Sequence, residues 1–317
     1  MTKAPLGQRL FEIGSPNPEY ALLGSVNWMR ALAIASDRNA ATSWVVNTAH
    51  SASWKRETRQ DLQDAAFEKV FLAQNYLAAI ASLAKVPNPH DVARIAIVAW
   101  YYCIYFSSQA MLAISGQTVP EEHQKTARVW LNQLVTGPAK ALVPYPFDLH
   151  LTTLVKTNVD EWCNQAGRGT NHSLNIAPAT VDQAHDAHLS YLKGTAGFYR
   201  EQVEDGVRES RDFKNAGYKD FRTKAARELR DEALQKRGVG FLDMAFRYRG
   251  KANYRDAIFL CYGSYGVDMN RFIADTYAVA DAYHQMAQTW VSMRIPKDDW
   301  SHLLDDLGKN SRLTAAT

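Results

Sequence analysis

The segment ARIAIVAWYYCIYFSSQAMLAIS, residues 93–115, restricts the fold more than any other stretch. Its middle is apolar on every side of a helical wheel, so a helix here has no face to give to water and must be covered by neighbours. The flanking residues mark its ends. Asn88 can cap, Pro89 suits a first turn, and Asp91 sits three residues after the cap. Gly116 is a typical helix stop. A chain with such a segment needs several other helices packed around it.

Those helices can be read from periodicity. Leu62, Ala66, Val70, Ala73, Leu77 and Ile80 recur at three- and four-residue steps, and VPNP ends that run. Thr118 with Glu121 forms a capping pattern ahead of VPEEHQKTARVWLNQLV, and Gly137-Pro138 closes it. PYPF reads as a turn, and Leu151, Leu154, Val155, Val159 and Trp162 suggest a further helical face. Residues 165–179, with Gly167, Gly169 and Pro178, read as loop. Thr180 with Gln183 opens a long helix carrying Ala184, His188, Tyr191, Thr195 and Phe198 on one face. From Arg200 to Arg237 both charge signs interleave, as on a solvated helix surface with spaced ion pairs. Three more helices are expected, in FLDMAFRYRGKANYRDAIFLCYG, in MNRFIADTYAVADAYHQMAQTWVSMR, and in KDDWSHLLDDL after Pro296. Near the N-terminus, PEYALLGSVNWMRALAIAS suggests one more.

No strand alternation or fixed-period repeat emerges, so the expected fold class is all-α. The organisation reads as an N-terminal extension over residues 1–60, a helical bundle over 61–205, and a C-terminal helical region over 206–317. Twelve Phe, eight Trp and fifteen Tyr argue against long disorder. A net charge of +3 is too small to define a nucleic-acid binder by itself. The three cysteines, Cys103, Cys163 and Cys261, are widely spaced and fit a reducing compartment rather than a disulfide framework. MTKAPLGQRLFEIG lacks the apolar run of a signal peptide. The apolar stretch from Ile95 to Phe106 is shorter than the ~20 residues a membrane span needs. A cytoplasmic protein without membrane contact is expected.

One family resemblance rests on ARIAIVAWYYCIYFSSQAMLAISGQTVPEEHQKTARVWLNQLV. Here an apolar helix carries Tyr101-Tyr102, then Ser107, Ser108 and Gln109. An aliphatic run, Gly116, a short acidic link and His123 follow. This order, with the long helix from Thr180, resembles the HEPN superfamily of helical domains over residues 61 to about 205. The resemblance implies a HEPN-like bundle and a metal-independent endoribonuclease acting as a toxin or phage-defence effector. It equally allows a non-catalytic helical subunit that binds a protein partner or RNA in a defence or nucleic-acid-processing complex. A homodimer or hetero-complex is implied in either case. Active members carry an arginine, four to six residues, then a histidine, near the start of the last helix.

Arg168 and His172 lie in the corresponding region, with three residues between them and Gly169 after the arginine. Histidine can move the proton of a ribose hydroxyl, and arginine can stabilise a charged phosphorane. Asn171 would hold a phosphate or orient the imidazole. The same residues also suit a hydrogen-bonded polar turn. A second candidate is RYRGKANYRD, residues 247–256, where Arg247, Arg249, Lys251 and Arg255 surround Tyr248 and Tyr254. That mixture suits phosphate contact with base stacking, or a polar junction between helices. His123, beside Glu121 and Glu122, reads as capping and surface charge. His185 and His188 stand one turn apart with only Asp182 nearby, so no metal site is expected. No glycine-rich phosphate loop, nucleophile elbow or His-Glu-x-x-His occurs, so no cofactor is expected. A helical scaffold unrelated to nucleic acid remains a third reading.

Overall fold

A computed structural model describes residues 18–36, 59–137, 143–153, 173–253 and 266–313, together with residues 9, 57, 258 and 260–262. The fold is all-α. Ten α-helices lie among the described residues: α1 (Pro18–Ala35), α2 (Gln60–Leu83), α3 (Ala93–Ile114), α4 (His123–Trp130), α5 (Val181–Glu209), α6 (Arg211–Asn215), α7 (Lys224–Lys236), α8 (Phe241–Asn253), α9 (Met269–Arg294) and α10 (Lys297–Asn310).

α3 is the centre. Its Ile, Val, Tyr and Phe residues are poor intrinsic helix formers, so packing rather than propensity holds it helical. α2, α4, α8 and α9 all pack against it. By length and composition it could cross a membrane, since the helix is longer than the Ile95–Phe106 stretch alone, but 78% of its apolar window is buried by those neighbours. Three of its buried polar side chains are matched in place, as most buried polar groups are. Ser107 Oγ lies 3.1 Å from His284 Nδ1, Ser108 Oγ lies 2.7 Å from Tyr283 Oη, and Gln109 Nε2 donates to Tyr105 Oη at 2.8 Å. Ser107 and Ser108 thus tie α3 to α9.

α1 joins the core through Trp28, which is fully buried. Its indole stacks on Tyr191 of α5 with centroids 3.9 Å apart, and Trp100 and Tyr248 meet it edge-on. Trp28 Nε1 donates to His188 Nδ1 at 3.0 Å. The main hydrophobic cluster has members from Leu22 to Ile295. A small separate cluster of Val207, Phe213 and Ala226 joins the end of α5 to α6 and α7. Ion pairs such as Arg200–Glu204 at 2.9 Å run along the charged surface there.

Several local expectations change. The Thr118/Glu121 pattern does not cap α4, which begins at His123 after an N-cap residue, Glu122, without a side-chain bond. The carbonyls of this turn are taken instead by side chains: Pro120 O accepts from Gln109 Nε2 and Thr126 Oγ1, and Glu121 O accepts from Tyr105 Oη. The Thr180 box forms with its return bond shifted one residue, to Ala179 instead of Thr180. Thr180 Oγ1 accepts from Gln183 N, and Gln183 Oε1 accepts from Ala179 N.

Leu151 starts no helix at its own position. It pairs with Val239 in a two-residue antiparallel ladder of β1 (Leu151–Thr152) and β2 (Gly238–Val239). The backbone at Gly238 lies close to Leu131, whose Cδ2 would have to shift to admit a Cβ at 2.7 Å. Just beyond, Arg237 pairs with buried Asp243 at 2.7 Å, and Asp243 accepts from Gly240 N at the start of α8.

Candidate functional site

The basic residues of α8 do not form one patch. Arg247 and Lys251 are four apart and face α5: Arg247 donates to Thr195 Oγ1 at 3.3 Å and covers Phe198, while Lys251 lies over Tyr191. Tyr248 between them is core. It is 1% exposed and donates to Ser25 O at 3.0 Å, so it has no free face for a base. Arg249 points the other way, toward α3 and α4.

There Arg249 enters an aromatic enclosure. Its guanidinium carbon lies 4.9 Å from the Tyr101 ring, 5.0 Å from Phe246 and 5.8 Å from Tyr102. Nη1 donates to Tyr102 Oη at 3.1 Å. Nε is buried with no hydrogen-bond partner. No carboxylate pairs with this guanidinium among the described residues.

His123 sits in the same enclosure, half-buried at the first position of α4. The turn carbonyls held by Tyr105, Gln109 and Thr126 fix where α4 starts, and therefore where the imidazole lies. Its ring is 4.5 Å from that of Tyr105. Nδ1 is 2.9 Å from Tyr101 Oη, and Nε2 is 3.5 Å from Arg249 Nη1. A guanidinium can only donate, so the nitrogen facing it carries the lone pair. The ring proton is then on Nδ1 and is donated to Tyr101. Burial, and secondly the charge of Arg249, hold the imidazole below its ordinary pKa. Burial drives the Tyr101 hydroxyl well above the ordinary phenol value, with Arg249 opposing, so it stays protonated.

Among the described residues the arrangement is a neutral imidazole with a lone pair on Nε2, a guanidinium without a carboxylate partner and two tyrosine hydroxyls. It can receive an anion at Arg249 and move a proton at His123 Nε2.

The other histidines differ. His188 uses Nδ1 for Trp28 and donates Nε2–H to Pro146 O at 3.0 Å, leaving neither nitrogen for a metal. His284 accepts at Nδ1 from Ser107 and donates Nε2–H to Gln74 Oε1 at 3.0 Å. Burial lowers both to about 4.

Arg168, Asn171, His172, Tyr254 and Arg255 lie outside the described residues. His123, the candidate site residue here, is one that the sequence reading assigned to capping and surface charge. Its neighbours, Tyr101 and Arg249, are 22 and 126 positions away, beyond any local pattern. The available signal was the Tyr101-Tyr102 pair within an otherwise apolar helix. No family model, no curated protein and no solved structure matches this chain.

Proposed function

We propose that the protein is a metal-independent endoribonuclease, of the toxin or defence-effector kind, with His123 and Arg249 in its active centre. The observation that supports this reading is the His123 Nε2 lone pair beside a guanidinium that no carboxylate pairs with among the described residues. His123 takes the proton of a ribose 2′-hydroxyl, and the resulting oxyanion attacks the adjacent phosphorus. The bond to the 5′-oxygen breaks, and that oxygen takes a proton from the imidazolium or from water. The products are a 2′,3′-cyclic phosphate and a 5′-hydroxyl. Arg249 stabilises the charge that builds on the phosphoryl oxygens. The resemblance to HEPN domains supports RNA as substrate and a homodimer or hetero-complex as the working form, and leaves Arg168 and His172 as the rival pair.

The test is incubation with total RNA in EDTA and mapping of cleaved ends. His123→Gln should lower the rate by ~10²–10⁴-fold, and Arg249→Ala by ~10²–10³-fold. Cleavage that survives both changes but disappears in Arg168→Ala and His172→Ala moves the centre to the rival pair. Absence of any cleavage by the native protein refutes the catalytic reading.

A second reading is the non-catalytic subunit that binds a protein partner or RNA. It is favoured by the way Tyr101, His123 and Arg249 tie α3, α4 and α8 together. RNA binding that weakens in Arg249→Ala, without cleavage by the native chain, would select it.

A further inference from the structure

A cavity of about 480 Å³ opens between α1, the 173–179 segment and the first two turns of α9. It shares no residue with the His123–Arg249 site. Its volume lies in the ~300–1,000 Å³ range of small-molecule pockets. Leu23, Val26, Pro178, Val267 and Phe272 supply apolar wall.

Four charged side chains line it: Arg30, Arg271, Asp268 and Asp275. Both acids are already engaged. Asp275, nearly buried, holds Arg30 Nη1 at 2.8 Å. Asp268 caps α9 by accepting from Arg271 N at 3.0 Å. Arg30 has one bond for its five N–H donors, and the Arg271 side chain has no ion pair among the described residues. The spare hydrogen-bonding capacity among the described residues is therefore on the arginines, while the four formal charges sum to zero and Asp275 also feels the charge of Arg271. The positive end of α9, a helix of 26 residues, adds partial positive charge.

We infer that this cavity is a second, separate site, for a small organic anion whose apolar body rests on Leu23, Val267 and Val26 and whose charged group meets Arg271 and Arg30. Binding requires both halves of the ligand, because neither the wall nor the two arginines close the site alone.

Phenyl phosphate is a suitable probe, with inorganic phosphate and phenol as its halves, followed by calorimetry. The whole probe should bind at least about tenfold more tightly than either half. Arg271→Ala removes an exposed side chain and should weaken the probe by about tenfold or more while leaving the melting temperature in place. Ala177→Trp, which fills the cavity without changing charge, should weaken it too. Arg249→Ala should leave the affinity unchanged, which separates this site from the proposed catalytic one. The inference is overturned if the probe does not bind, if inorganic phosphate binds as well as the probe, or if affinity falls in Arg249→Ala and not in Arg271→Ala.

Discussion

His284 and His123 are both bonded to side chains of α3, yet they lie in different physical settings. At the α3–α9 interface, His284 is fully buried and each ring nitrogen has a neutral partner, Ser107 or Gln74. At the α3–α4–α8 junction, His123 is half-buried and its second nitrogen faces a guanidinium at 3.5 Å, a long contact. The first arrangement is closed: no proton can be gained without breaking a bond. The second is looser: among the described residues the Nε2 lone pair meets the Arg249 guanidinium alone, at the outer limit of a hydrogen bond. The two histidines therefore differ in the partner on the second nitrogen as well as in burial.

Acid gives the largest expected effect. His188 and His284 have folded pKa values of about 4, below the ordinary value of 6.5. Below pH ~6.5 the unfolded chain binds protons that the folded chain refuses, so stability is complete above that pH and falls toward pH ~4. Each histidine contributes a slope of about 1.4 kcal/mol per pH unit. Burial of His123 acts in the same direction. Urea midpoints should therefore drop between about pH 7 and pH 5. Equal midpoints would mean that the closed histidines are not closed.

Truncation of the closed site comes next. His284→Ala leaves Ser107 and Gln74 without their partner and opens a void. It should cost about 4 kcal/mol by chemical denaturation. A cost below about 1 kcal/mol would show that the α3–α9 interface tolerates loss of its polar tie.

His123→Gln gives the smallest effect on stability, about 1 kcal/mol, because an amide can still bond Tyr101 and the site is partly solvated. If it destabilises as much as His284→Ala, the difference between the two regions disappears, and His123 is a structural residue.

Much of the helical frame was legible in the sequence, because it depends on short-range chemistry. The all-round apolar character of residues 93–115 does require a covered helix, and Thr180 with Gln183 does open its helix. The Thr118/Glu121 pattern failed because Tyr105, Gln109 and Thr126 claim the turn, and two of these lie on the preceding helix. Tyr248 could have been placed correctly. Phe241, Met244, Ala245, Tyr248 and Ala252 follow helical spacing and are all buried, so the tyrosine belongs to the apolar face and not to the arginines beside it. The His123–Arg249 contact had no such route. It exists only once α8 has been laid against α3 and α4.

The anchoring of α1 also bears on how the chain is made. Trp28 waits for His188, 160 positions later, and Ser25 O waits for Tyr248, 223 positions later. At a synthesis rate of ~5–20 residues per second, the helix spends roughly 10–45 s outside the ribosome before its last partner is made. Through that interval Trp28, Met29 and Leu32 lack part of the native packing that buries them in the finished fold.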